Sequence, residues 1–313
     1  MHTMDSEVAL ALTKLAEAGP TPPIARGDWQ ALRAAGNAGQ AYMAAITPAS
    51  AGVVHTRYDV EVAGGASIEL RWYQRGDHRP GSAVVYAHGG GMVLGSLDSY
   101  DSLLDWYVAE TGVPFLSVGY RLAPESSGTT LAEDVYAALT WMHEHAADLG
   151  VDTDRIAIMG DSGGGAPAAG AAILARDRGV QLAKQILVYP MLEDRNVDPD
   201  PALAPFATWS YDNNWTAWTA VLGDRRGAPD VSPIVAPARL LNAAGLAPTY
   251  LEVGDLDIFR DEDIAYAATL AGHNVPMELH VRPGAPHGFD RLAPEAAVSR
   301  RAFGERVRVI AGL

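Results

Sequence analysis

From Ser82 onward, short apolar runs of strand length alternate with stretches of helical period, and this alternation constrains the fold more than any other feature. The runs are Ser82–Ala87 (SAVVYA), Pro114–Tyr120 (PFLSVGY), Arg155–Gly160 (RIAIMG), Gln185–Pro190 (QILVYP), Thr249–Gly254 (TYLEVG) and Met277–Pro283 (MELHVRP). Helical periods fill the gaps, most clearly over Leu131–Leu149, Ala166–Arg178, Asp261–Ala271 and Glu295–Ile310. A parallel strand pair needs a long crossover and a helix supplies it, so this rhythm predicts an α/β chain with a mostly parallel sheet flanked by helices. Upstream, strand-like alternation over Tyr58–Arg75 turns at Gly64-Gly65 and reads as a hairpin. The sheet is therefore predicted to have eight strands, the first ones antiparallel. Residues 1–50 read as two helices separated by Gly19–Pro23 (GPTPP).

Between Pro190 and Pro248 the rhythm breaks: there is no strand pattern, but there are Trp209, Trp215, Trp218 and scattered prolines. So long an interval within an α/β core reads as a lid. The expected organisation is an N-terminal helical cap segment (1–50), core (51–190), cap insertion (191–230) and core again (231–313). With 48% hydrophobic and 19% charged residues, 313 residues suffice for a sizeable core. A formal charge of −15 argues against nucleic acid or an anionic membrane as partner. The absence of cysteine excludes disulfides, zinc-thiolate sites and cysteine nucleophiles. No stretch has the apolar length of a membrane span. The N-terminal apolar residues are interrupted by Asp5, Glu7, Lys14 and Glu17, which suits an amphipathic helix better than a secretory leader, so the cytoplasm is the expected location.

In open α/β sheets the working groups gather at the carboxyl ends of the strands. There the chain reads His88-Gly89-Gly90-Gly91, then GDSGGG (Gly160–Gly165), then DLDIFRDED (Asp255–Asp263), then GAPHGF (Gly284–Phe289). GDSGG fits G-x-S-x-G, a sharp strand-to-helix turn that exposes a serine above the sheet. Gly160 and Gly164 allow strand and helix to approach while Ser162 takes a strained conformation, and the helix that follows turns its positive end toward a developing anion. In a chain with 32 glycines the pattern also arises by chance. Its place between a strand and an alanine-rich helix is what points to a nucleophile. Neither Gly-Lys-Ser/Thr nor G-x-G-x-x-G follows, which argues against a phosphate cradle. The glycine triplet suits the same chemistry, since acyl transfer passes through an oxyanion that needs several N–H donors aimed at one point. Gly90 and Gly91 are the candidate donors, joined by Gly163.

A serine nucleophile needs a base, and nine histidines compete. His143 and His145 lie two apart on a helix and face different directions. His280 falls on the polar face of a strand, and His88 belongs to the glycine turn, where a structural hydrogen bond is the expected role. His2, His55, His78 and His273 lie in termini or loops. His287 sits in the loop past the final strand, where an imidazole can reach Ser162. A third group, an acid, must fix the imidazole tautomer. Asp261 and Asp263 read as helix-entry residues, Asp261 as an N-cap. Between Asp255 and Asp257 the residues alone do not decide.

With these motifs assembled, the chain resembles the hormone-sensitive-lipase-like (family IV) bacterial esterases, α/β-hydrolases with a helical cap. The resemblance runs from about residue 55 to the C-terminus through HGGG (His88–Gly91), YRLAPE (Tyr120–Glu125), EDVYAAL (Glu133–Leu139), GDSGGG, LDIFRDE (Leu256–Glu262) and HGF (His287–Phe289). It implies Asp257 as the acid, hydrolysis of small carboxylic esters of short to medium acyl chain through an acyl-enzyme, and no metal or organic cofactor. Homodimers are frequent among such proteins. Three departures concern the substrate. Gly163 stands where alanine is common, implying a looser turn. Met92 replaces the usual aromatic, and SSGTT (Ser126–Thr130) replaces a stretch with proline and phenylalanine. Met92, Phe206, Trp209, Tyr211, Trp215 and Trp218 are the candidates for lining a substrate pocket. Two other readings of the scaffold stand beside the esterase: a non-catalytic small-molecule receptor, and an acyltransferase, lactonase or deacetylase using the same triad.

Overall fold

A computed structural model describes residues 2–17, 24–47, 50–76 and 78–313. The expected turn at Gly19–Pro23 lies outside the described residues. Two helices precede the sheet, α1 (Ser6–Glu17) and α2 (Trp29–Ile46), and the Asp28 side chain caps α2 by accepting from the Ala31 N–H at 2.9 Å. The hairpin β1 (Val53–Val62) and β2 (Ala66–Arg75) closes through Gly64 and Gly65, both at positive φ, as the glycine pair required. The alternating region then runs β3 (Gly81–Ala87), α3 (Asp101–Thr111), β4 (Phe115–Val118), α4 (Thr130–Leu149), β5 (Val151–Asp161), α5 (Gly165–Arg178) and β6 (Lys184–Val188). After α6 (Tyr211–Leu222) it resumes with β7 (Thr249–Gly254), α7 (Arg260–Gly272), β8 (Met277–Arg282), α8 (Phe289–Leu292) and α9 (Ala297–Ala311).

The eight strands form one sheet in the order β1-β2-β4-β3-β5-β6-β7-β8. β2 pairs antiparallel with β1 and β4, and every other neighbour is parallel. β3, β6, β7 and the second half of β5 are buried on both faces, which is why they read as continuous apolar runs rather than alternating ones. β8 forms an edge and is only partly covered.

From β3 the chain steps to β4 on one side and then crosses to β5 on the other. That reversal opens a crevice between the loops that follow β3 and β5. α2 packs against α3 and α6 and so borders this crevice, whereas α1 packs on α8, its approach fixed by the Asp5 N–H donating to Gly284 O at 2.9 Å. One local expectation is corrected. Asp261 does not cap α7: it lies in the first turn, exposed and paired with Arg260 at 2.7 Å, and Phe259 holds the capping position. Among the described residues, no helix is long and apolar enough to cross a membrane.

Candidate active site

β5 delivers its last residue, Asp161, to the crevice, and Ser162 follows at φ +52°, left-handed for a non-glycine residue. A single 3-10 turn, Ser162–Gly164, then leads into α5. The glycines flanking Ser162 are sterically required. A Cβ at Gly160 would lie 2.4 Å from Gly164 O, and one at Gly164 would lie 2.2 Å from Ala87 O.

Ser162 Oγ lies 2.8 Å from His287 Nε2, and His287 Nδ1 lies 2.7 Å from Asp257 Oδ2. Asp257 is fully buried, and its other oxygen accepts from the Phe259 N–H at 3.0 Å, which fixes the carboxylate plane. The rings of Tyr189 and Phe259 each meet the imidazole edge-on at 4.9 Å and hold its orientation. Asp255 plays a different part. Its side chain accepts from the Gly284 N–H at 2.6 Å and pins the loop that carries His287. His88 is buried, with Nδ1 2.9 Å from Gly89 O and its ring stacked on Tyr120, and burial pushes the imidazole below its ordinary pKa. Two further acids lie in α7 behind Asp257. Glu262 accepts from the Leu192 and Glu193 N–H groups, and Asp263 is enclosed with no partner for either oxygen among the described residues. Burial raises the pKa of both.

The glycine triplet wraps over this assembly. Gly90 and Gly91 have φ of +124° and +58°, and among the described residues neither N–H donates a hydrogen bond. A Cβ at Gly91 would touch the Trp209 ring at 2.6 Å; one at Gly163 would lie 2.2 Å from the Gly91 nitrogen. The turn at Gly163 is closely packed against the glycine loop. The glycine loop has closed onto the space a methyl would fill.

Ser162 and His287 open into a cavity of about 290 Å³. Of the six candidate lining residues, only Trp209 borders it among the described residues. Met92 is buried beneath the glycine loop, where its carbonyl accepts from the Ala123 N–H. Phe206 ends a 3-10 turn outside the cavity. Tyr211 faces a separate cleft with Asp200 and Asp261. Trp215 lies under the guanidinium groups of Arg26 and Arg226, and Trp218 is wholly buried in the core. Tyr211 and Trp218 fall at i and i+7 and anchor α6 to the core, while Trp215 between them stays half-buried under the two arginines. The sequence reading missed the real wall. Leu32, Gly36, Gly39, Gln40 and Met43 of α2 form one side, and Tyr189, Arg291 and Leu292 contribute to the other. Small residues at helical spacing in α2 are the signal that could have exposed it.

The described residues contain one cluster with metal-ligand spacing, Glu278, His280 and Glu305, away from this cavity. Arg308 already pairs with both glutamates there, so the cluster is an ion-pair network.

The family described as the alpha/beta hydrolase fold matches residues 84–291. Esterase LipI of Mycobacterium tuberculosis is 37% identical over 217 residues, 68% of this chain and 67% of that protein. Ethyl acetate hydrolase of Pseudomonas putida is 34% identical over 245 residues, 73% of each. Among solved structures, a bacterial heroin esterase superposes with a TM-score of 0.89 at 35% identity, covering 99% of this chain and 97% of its own. With that fold and these relatives, the chain belongs to the alpha/beta-hydrolase family, in the hormone-sensitive-lipase-like branch of bacterial esterases.

Proposed function

We propose that the chain is a serine carboxylesterase whose triad is Ser162, His287 and Asp257. The observation that carries this reading is the hydrogen-bonded relay itself. Residues 125 and 30 positions apart in sequence meet at 2.8 and 2.7 Å, with the serine held at a strained φ above the sheet.

His287 takes the proton of Ser162 as Oγ attacks the ester carbonyl, and the buried Asp257 stabilises the imidazolium that forms. The N–H groups of Gly90, Gly91 and Gly163 receive the oxyanion. Collapse expels the alcohol, which takes its proton from His287 and leaves an acyl group on Ser162. His287 then draws a proton from water as it attacks the acyl-enzyme, and returns that proton to Ser162 Oγ as the acid leaves. The names of the relatives support small carboxylic esters as substrates, and a cavity of about 290 Å³ suits short to medium acyl chains.

The test is hydrolysis of a chromogenic acyl series, acetate to decanoate, by the wild type and by Ser162→Ala. The wild type is expected to turn over the shorter members, and the variant to lose at least about 10³-fold in kcat. Turnover that persists in Ser162→Ala overturns the assignment.

A further inference from the structure

We propose that Arg291 binds a neutral oxygen acceptor carried by the substrate beyond the scissile ester: a ketone, amide or second ester carbonyl. The inference rests on the esterase reading above and names a substrate class within it. Arg291 is 5% exposed and lines the cavity that holds Ser162 and His287. Its guanidinium sits 4.1 Å over the Tyr100 ring, and Nη2 donates one long bond, 3.4 Å, to Ser99 O. Nε has no acceptor among the described residues but is closed off from the cavity, whereas Nη1 makes no hydrogen bond there and keeps accessible surface. The other two buried arginines are treated differently. Arg71 meets Glu69, Asp98 and Asp101, and Arg306 meets Glu252 and Asp290. A buried guanidinium with an idle donor is costly, and this one borders both the cavity with Ser162 and His287 and a second one with Asp290 and Glu295.

The neighbouring polar groups are already engaged elsewhere. Asp161 has both oxygens engaged, by the Tyr86 hydroxyl at 2.6 Å and the Tyr100 hydroxyl at 2.9 Å. Gln40 spends its amide on Gly89 O and its carbonyl on the Ser99 hydroxyl. The rest of the wall near it, with Leu32, Met43, Leu94 and Leu292, is apolar. Charge decides between a carboxylate and a carbonyl as the ligand. Burial opposes the positive charge on Arg291, and Asp161 is among the groups whose field sustains it. Asp161 lines the same cavity, so a carboxylate would bring a second negative group to one positive. A neutral carbonyl oxygen accepts the idle N–H without adding charge, and it leaves water at lower cost.

The experiment compares methyl levulinate with methyl valerate, which match in chain length and differ by one ketone, together with monomethyl succinate, all followed by pH-stat. Pentyl acetate and acetopropyl acetate make the same comparison on the alcohol side. The quantity read is the keto-to-alkyl ratio of kcat/KM within each protein, so a loss of folded fraction cancels. In Arg291→Met this ratio is expected to fall about tenfold from the wild-type value on one of the two sides. In Arg291→Lys, which keeps the charge but loses the planar fork, the ratio should lie between the two. If Arg291→Met does not fold, the lysine variant carries the test. Ratios unchanged on both sides overturn the proposal. A wild-type preference for monomethyl succinate over methyl levulinate that is lost in the variants overturns the neutral class and makes the site a carboxylate site. Failure of the esterase reading would look different: no ester turned over, or turnover surviving Ser162→Ala.

Discussion

At Gly163 a methyl group would fall 2.2 Å from the Gly91 nitrogen and 2.7 Å from that of Met92. Both contacts are with backbone, which cannot rotate aside. Gly163→Ala must therefore displace the loop that carries the proposed oxyanion donors. The expected result is a fall in kcat on short esters of about tenfold or more, with KM little changed, measured by steady-state kinetics. A kcat equal to wild type would mean the loop yields without consequence. Asp263 makes a second residue-scale prediction. Burial, then the charges of Glu262 and Asp257, raise its folded-state pKa well above the ordinary carboxylate value. The native state then holds this proton more tightly than the unfolded chain. Stability from this group is full below the unfolded pKa of about 4 and is lost as pH rises toward the folded value. Asp263→Asn removes the titration. It should raise the melting midpoint at pH 7 by about 2 °C or more, with the gap narrowing toward pH 5 in a series of thermal melts.

At the scale of elements, what the sequence revealed depended on whether the information was local. The strands were legible because burial on both faces leaves an unbroken apolar run. β5 begins at Val151, earlier than its apolar run, because Asp152–Asp154 are exposed and carry no such signal. β4 is shorter than its apolar stretch, since pairing covers only Phe115–Val118. The elbow, the glycine loop and the histidine loop could be read because their geometry tolerates so few residue types. The α2 wall could not, because contact between Gly39 and a cavity built around Ser162 leaves no local pattern. The aromatic period of α6 announced a buried face without saying what buries it. Gly39 tests the wall directly: it borders the cavity and a Cβ there meets nothing within 4 Å, so a side chain fits. Gly39→Phe is expected to lower the octanoate-to-acetate ratio of kcat/KM by about tenfold. An unchanged ratio would place the acyl path elsewhere.

Over the whole molecule, one buried ionic network joins the C-terminal helix to the site. Arg306 of α9 reaches Glu252 of β7 and Asp290 of α8, Arg282 of β8 shares Glu252, and the Tyr189 hydroxyl donates to Asp290 at 2.9 Å. Burial disfavours the Asp290 carboxylate, yet Arg306 and the Tyr189 hydroxyl hold its pKa below the ordinary value. Its contribution to stability is therefore present above the unfolded pKa and is lost as pH falls through the folded one. Arg306→Met leaves Glu252 with Arg282 and Asp290 with the Tyr189 hydroxyl, and should cost about 3–5 kcal/mol in denaturant unfolding. Esterase activity should fall with it, since α8 follows His287 directly.

The α2 wall lies wholly before Thr47, and the proposed triad lies wholly after Asp161, with the β1–β2 hairpin among the elements between them. A gene encoding this layout can exchange its first fifty or so codons with a relative and inherit a new wall beside the same reaction. Such an exchange would alter one side of the cavity while the proposed triad keeps its own strands and loops.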